Sequence, residues 1–586
     1  MSPENTTWLK SVFLKSWRPY AWIAVLGFLL YLKTLFFDFT YLDDNVLILD
    51  NINFLKDFAN IGLIFKQEVF HILHSSATYY RPILTLSFML DAHLGGDKAS
   101  IYHLTNIILH LVASSLVFTT LLKLKYKRSL SFLAAVLFTL HPILSQAVAW
   151  IPGRNDSLLA IFALASFIFF INVNEGGSVI ARSEATKQSD RSPRFARDDI
   201  EDAGGQSRDN LNCNIINSVL CALFFALAIF TKETALILPL VFLLYYFLIA
   251  ESRAKAKEFS LLAITSGIAF ALWYWGRSIA LSGASGGLGF LATIKFFYLN
   301  SYAILLYIGK IFYPFNLSVL PILEDSNKLF GIAGIITLIL LIIFTKKRRW
   351  KWIVFGAIWF LIFLIPTFIR PNTSVAPDFI EHRAYLPLLG FMIVLLETDL
   401  FKKLNLKTLW QLYTTLAVIL IFAGVNFIHL DNFKDRLSFW LNAATNSPHS
   451  PLAHRNLGVM YYFSGYFDQA EIEYYKSLEL NPYETMAHNN LGVLYGEEGR
   501  AEEAIEQYEA ELKFNPDYDN ALFNLGVLKY RAGEKAEAEK LWLKTINSNP
   551  DYAAAYQNLS VYHYESGSSE QANYFQNKFL ELSGMK

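Results

Sequence analysis

An all-α protein in two parts is predicted: a polytopic helical membrane domain, then an α-solenoid of tetratricopeptide repeats. Three features predict its two halves. Hydrophobic residues make up 54% of the 586 positions and charged residues only 17%, below the roughly 25% charged content of soluble domains. Mean hydropathy is +0.32. Apolar runs long enough to cross a bilayer recur from residue 20 to residue 429, and beyond residue 450 a 34-residue period takes over.

A bilayer span takes about 17–25 mostly apolar residues. Such runs lie near 20–37, 101–121, 131–149, 157–173, 213–230, 235–250, 259–275, 329–345, 352–369, 385–398 and 408–429. Between them the loops at 123–128, 253–257, 346–351 and 402–407 are short and basic, and the positive-inside rule places them in the cytoplasm. Lys10, Lys15 and Arg18 precede the first run and no small-residue cleavage site follows, the pattern of an uncleaved first span with a cytoplasmic N-terminus. An odd number of crossings then puts everything after residue 430 outside the cytosol. The stretch 290–313 is long enough to span, but Lys295 and Lys310 interrupt it. Counting it would turn the 346–351 loop outward, so it is predicted to be interfacial or re-entrant. Residues 174–210 are polar, carry both charges and are predicted to form a disordered cytoplasmic insert. The domain plan is a multi-span membrane domain over 1–430, a connector over 431–450 and four repeats over 451–586.

Several function classes drop out. Net charge is zero, so nothing general favours nucleic acid. Cys213 and Cys221 lie eight residues apart in one apolar run, about 12 Å along a helix and too far for a disulfide. No metal-ligand spacing appears. His103, Asn106 and His110 share one face of the second span and are expected to form a polar seam between helices.

In the tail, Pro482, Pro516 and Pro550 recur every 34 residues, together with Gly465, Gly499, Gly533 and Gly567 and with Ala470, Ala504, Ala538 and Ala572. Several positions recurring in step match the tetratricopeptide pattern of paired antiparallel helices, whose stacked pairs form a concave face. Each unit also has an asparagine at one position: Asn456, Asn490, Asn524 and Asn558. An amide donates and accepts at once, so a ladder of them could grip the backbone of an extended polypeptide. Bonding to the neighbouring helix is the competing reading.

The polar motifs of the membrane half collect on the side predicted to face outward. Asp43 and Asp44 follow the first span, with Arg81 further along the same loop. His141, Arg154 and Asp156 lie around the exit of the third span, Lys232 and Glu233 between the fifth and sixth, and Glu381, His382 and Arg383 before the tenth. Ionisable groups at membrane depth are as a rule functional where they line a cavity. Taken singly, Asp43–Asp44 also reads as an Asx turn or cap, and Arg154 with Asp156 as an interfacial pair; four motifs on one face favour a site.

"YLDDNVLILDN", "YYRPILTLSF", "YHLTNIILH", "HPILSQAVAWIPGRND", "KET", "EHRAYLP" and the tail repeats, in that order, resemble the transmembrane-and-tetratricopeptide-repeat (TMTC-type) protein mannosyltransferases and their bacterial relatives. The resemblance covers nearly the whole chain apart from the 174–210 insert. It implies a GT-C glycosyltransferase that moves a sugar, mannose in the family, from a polyprenyl-phosphate carrier to Ser or Thr of extracytoplasmic proteins. It also implies an acid of the first outer loop as the catalytic group, Asp43 ahead of Asp44. Arg81, His141, Arg154, Asp156, Lys232, Glu233, Glu381, His382 and Arg383 are then the candidates for the donor's phosphate and sugar, with Arg383 first. A bacterial inner-membrane location follows, with the repeats in the periplasm. No resident metal is assigned, and a helper divalent ion is left open. Two alternatives stand beside this reading: a non-catalytic scaffold for an envelope or export complex, and an enzyme of the same fold acting on a lipid or polysaccharide.

Overall fold

Seven helices among the described residues are long and apolar enough to cross a membrane: Arg18–Phe36, Ala99–Lys123, Ile151–Asn174, Cys213–Thr231, Phe259–Ala280, Trp350–Phe368 and Leu409–Phe433. They belong to a computed structural model that describes residues 12–73, 79–174, 199–251, 256–282, 290–368 and 379–584. Those residues form helices and connecting loops, without a strand. The chain divides into two compact units, Met1–Phe439 and Trp440–Lys586.

In the first unit the expected eleven full spans become seven, with four shortened or bent. The run at 131–149 is split into Arg128–Leu140 and Pro142–Ala149, meeting at 53°. Pro142 supplies no backbone N–H and ends the helix there. The runs at 235–250, 329–345 and 385–398 give Leu238–Leu248, Lys328–Ile343 and Tyr385–Leu396. The longest of these rises about 24 Å, short of a hydrocarbon core of about 30 Å. The 290–313 stretch is two helices, Phe290–Asn300 and Ala303–Phe312. Most of the expected insert, residues 175–198, lies outside the described residues. Its end is helical, because the helix that closes at Thr231 begins at Asp199. Extending a nucleated helix fixes one residue per added hydrogen bond, so polar residues joined to an apolar span can continue it.

The Ile151–Asn174 helix is central, with 72% of its apolar window buried in the protein, whereas Leu409–Phe433 has 11% and runs along the periphery. The loop between the first two spans is seated by an apolar cluster that includes Phe39, Leu47, Ile48, Leu55, Phe88 and Tyr102. That packing makes the loop carrying Asp43 and Asp44 part of the fold.

The second unit contains four helix pairs: Pro451–Phe463 with Phe467–Leu480, Ala487–Glu497 with Ala501–Phe514, Asp519–Arg531 with Lys535–Ser548, and Ala553–Glu565 with Ser569–Leu582. Each recurrent glycine sits at the turn inside a pair with φ of +76°, +78°, +87° and +81°, the left-handed region that only glycine enters without cost. The recurrent alanines are buried at the crossing.

Candidate active site

Asp44 is fully buried and saturated. Thr40 donates to its Oδ2 twice, from the backbone N at 2.7 Å and from Oγ1 at 3.0 Å, and Trp150 Nε1 donates to Oδ1 at 2.9 Å. Asp43, its neighbour, is only partly buried and accepts no hydrogen bond among the described residues. Tyr41, two residues before it, has a φ of +59°, a conformation that a bulky residue holds only where the surroundings enforce it. Burial, reinforced by the adjacent Asp44 charge and opposed by Arg81, pushes the Asp43 carboxyl up to about 7. Burial likewise raises Asp44, to about 6, against the hydrogen bonds from Thr40 and Trp150. One acid is fixed by its partners; the other has an uncommitted lone pair and a basicity near neutrality.

Arg81, whose charge acts on Asp43, also lies within reach of Lys232 and Arg383. Arg81 precedes the Pro82–Gly95 helix and donates from Nε to Glu233 Oε2 at 3.3 Å, while Tyr80 N donates to Glu233 Oε1 at 3.1 Å. Lys232 follows the Cys213–Thr231 span and is buried, its Nζ 2.8 Å from both Asp156 oxygens and 3.3 Å from Asn155 Oδ1. Burial lowers the Lys232 ammonium, as do the nearby charges of Arg81 and Arg383, against the pull of Asp156. His382 Nε2 lies 3.5 Å from Asp156 Oδ2. Burial first, then Lys232, Arg383 and Arg81, holds its imidazole well below the ordinary range and therefore neutral. Arg383 is partly exposed and donates to Thr367 O at 3.3 Å. Asp156, Lys232, Thr234, Thr367 and Arg383 line a small cavity together with Leu159, Phe363, Leu386 and Pro387. The lining is thus both charged and apolar.

Asp43, Arg81, Asp156, Lys232, Glu233, His382 and Arg383 thus form one electrostatic group. Three of the expected donor-binding residues do not join it. Arg154 has 0% exposure and is consumed by the fold: Asp91 Oδ2 lies 2.6 Å from Nη2, Asn106 Oδ1 2.8 Å from Nε and Tyr102 O 2.9 Å from Nη2. Its guanidinium also lies over Phe88, so no edge is left for a phosphate. His141 sits at the bend of the Arg128–Ala149 pair, accepting from Ile143 N through Nδ1, with Nε2 3.1 Å from Ile311 O. Glu381 turns away to Lys310 Nζ at 2.5 Å and Ser318 N at 3.0 Å. The seam expected on the second span is present at Asn106, which donates to Val148 O at 3.1 Å, and at His110, whose Nδ1 is 2.6 Å from Tyr385 Oη.

Thr40, Trp150, Asp91 and Lys310 were not singled out for these roles. Asp91 and Lys310 carried a signal, being lone charges in apolar runs that need buried partners. In the tail all four ladder asparagines are partly exposed. Asn456 Nδ2 donates to Leu452 O at 2.9 Å within its own helix, and Asn524 Nδ2 to Asn489 Oδ1 at 3.4 Å. Among the described residues no group of three or more His, Cys, Asp or Glu side chains is arranged to hold a metal ion.

Residues 454–484 match the tetratricopeptide repeat family and 494–533 the TPR repeat family. Human Protein O-mannosyl-transferase TMTC2 is 36% identical over 151 residues, which is 25% of this chain and 18% of that protein. Human Protein O-mannosyl-transferase TMTC3 is 35% identical over 143 residues, 24% of this chain and 15% of that one. The Caenorhabditis elegans Protein O-mannosyl-transferase F38B6.6 is 23% identical over 418 residues, covering 69% of this chain and 54% of its own length. The chain is similar to the TMTC-type proteins. A 418-residue match is longer than the whole Trp440–Lys586 unit, so the similarity extends into the Met1–Phe439 unit. The chain spans under a fifth of the length of TMTC2 and about half that of F38B6.6. Among solved structures, the crystal structure of MamA aligns over 26% of this chain and 88% of its own, with a TM-score of 0.24 and 22% identity.

Proposed function

We propose that this chain is a GT-C-type membrane glycosyltransferase that moves a sugar from a polyprenyl-phosphate carrier to a Ser or Thr hydroxyl of extracytoplasmic polypeptides. Asp43 is the general base. The observation that carries the reading is the contrast inside the acid pair: Asp44 is saturated, while Asp43 accepts nothing among the described residues and stands within the field of Arg81. The printed names of the relatives, protein O-mannosyl-transferases, support the reaction class and mannose as the sugar.

In the reaction the acceptor oxygen attacks C1 of the sugar as Asp43 takes its proton. The C1–O bond to phosphate breaks, the electron pair leaves with the lipid phosphate, and attack from the opposite face inverts C1. A positioned base supplies about 10²–10⁴-fold. The leaving phosphate gains charge and is met by Arg383 and Arg81, whose planar donors suit phosphate oxygens. Asp156 and Glu233 hold Lys232 and Arg81 in place. The charged and apolar lining of the cavity marks where a headgroup would meet a prenyl tail that stays in lipid. The membrane is the bacterial inner membrane, with the basic loops cytoplasmic and the repeats outside. The repeats bind the extended acceptor and raise its effective concentration.

The test is incubation of membranes with radiolabelled polyprenyl-phosphate mannose, followed by separation of protein from lipid. Label in protein that disappears in Asp43→Asn supports the reading. Label in a lipid or polysaccharide product distinct from the donor moves the acceptor class, and label that stays in the donor with a correctly inserted protein leaves the scaffold.

A further inference from the structure

We infer that the buried Lys310–Glu381 ion pair is a strut that positions Arg383 and His382 for the donor. This inference rests on the function proposed above. Lys310 lies on the Ala303–Phe312 helix, within the stretch whose sequence fitted no ordinary span. Its Nζ reaches Glu381 Oε1 at 2.5 Å and donates to Asn316 O at 2.7 Å. The same Glu381 oxygen accepts from Ser318 N at 3.0 Å. Two further bonds tie the residues just before it: Tyr307 Oη donates to Ile380 O at 2.8 Å, and Phe379 N donates to Pro321 O at 3.2 Å. Lys310 Nζ also lies 4.9 Å from the centre of the Phe379 ring.

Residues 379–381 are therefore clamped at five points to residues 307–321, and the next two residues, His382 and Arg383, enter the candidate site. The platform is itself fixed. Ala303–Phe312 packs on Lys328–Ile343 where Gly309 meets Gly331, and a Cβ on Gly309 would fall 2.6 Å from Gly331 N. Ion pairs taken fully out of water are weak stabilisers and are matched by well-packed apolar residues. A pair retained at this depth, one residue before the cation that meets the phosphate, is explained by geometry. Neither Lys310 nor Glu381 touches the reacting groups; both are positioning residues.

The discriminating variant is the apolar pair Lys310→Met with Glu381→Met, which removes both charges together and leaves no buried ion unpaired. If the pair positions Arg383, the double variant inserts and stays folded, its melting temperature lowered only by the lost partners of Ser318 N and Asn316 O, yet transfer falls about ten- to hundredfold. Binding of polyprenyl phosphate, measured without acceptor, weakens in parallel. Full transfer and full carrier binding in the double variant would overturn the inference. Should that variant not insert, Glu381→Asp keeps the charge but shortens its reach by a methylene. Wild-type carrier affinity in Glu381→Asp counts against the strut, and a loss with unchanged insertion supports it. Asp43→Asn measured alongside separates the two ideas: if it keeps full transfer the enzyme reading fails, whereas an inactive Asp43→Asn beside a fully active double variant fails the strut alone.

Discussion

The Tyr385–Leu396 helix carries a buried charge cluster at each end, about 18 Å apart along its axis. At its N-terminal end, Arg383 and His382 join Asp43, Arg81, Lys232 and Asp156. At its C-terminal end, Glu397 has no exposure and every oxygen is occupied: Arg349 Nε at 2.8 Å, Lys402 Nζ at 2.9 Å and Tyr126 Oη at 2.8 Å. Both clusters pair acids with cations, and among the described residues only the first contains an acid that accepts no hydrogen bond. Arg154 and Asp91 repeat the saturated pattern in the interior. Buried charge alone therefore does not mark a site. Unspent hydrogen-bonding capacity does, because a saturated carboxylate must break its own bonds before it can take a proton.

The strongest way to break this contrast is Asp43→Asn, which removes the free lone pair and keeps the shape. Transfer should fall by at least about a hundredfold while insertion, read by protease protection of the repeats, is unchanged. Near-wild-type transfer would return Asp43 to the role of a turn residue. The same lone pair sets a pH dependence. Burial and the Asp44 charge raise the Asp43 carboxyl to about 7, so its basic form dominates above that value and is lost as pH falls through it. The kcat/KM profile should rise with a midpoint near 7 and drop about tenfold per pH unit well below it. A rise centred near 4 would point to an unperturbed carboxylate.

How legible this was in the sequence depended on the kind of constraint. The repeats could be read in full, since each glycine is demanded by a left-handed turn and each alanine by a helix crossing, and both demands return every 34 residues. The long spans could be read because hydrocarbon thickness sets their length. The shorter helices were over-read: apolar composition says that a segment avoids water, and a segment such as Tyr385–Leu396 does so inside the protein. Within the site, adjacency in sequence put Asp43 beside Asp44 but could not distinguish them. That distinction comes from Trp150, about a hundred residues away, whose indole caps only one of them. Arg154 was misassigned for a similar reason. Its partner Asp91 lies on another helix, and only packing reveals that the pair is closed.

The ladder asparagines fall between the two clusters in kind, being partly exposed and partly spent. Asn456 and Asn524 already donate inside the repeat stack, so fewer than four amides' worth of bonding is at stake. At about 0.5–1.5 kcal/mol for each hydrogen bond, replacing Asn456, Asn490, Asn524 and Asn558 together by Ala should raise the acceptor-peptide KM roughly tenfold and leave carrier binding unchanged. An unchanged acceptor KM would make the ladder a feature of repeat packing alone.

Glu397→Gln sharpens the comparison from its other end. The variant keeps volume and one acceptor oxygen but places an NH₂ where a carboxylate accepted from Arg349, Lys402 and Tyr126. Donor then faces donor, and the buried Tyr126 hydroxyl or one cation loses its partner. Arg349 is about half exposed and can turn to water, so the cost is held to about 1–3 kcal/mol, seen as a lower melting temperature in detergent. Transfer per folded molecule should be unchanged, with the same pH midpoint. A loss of turnover comparable to that of Asp43→Asn would mean that the two ends of the Tyr385–Leu396 helix act together, and saturation would no longer separate a structural charge from a working one.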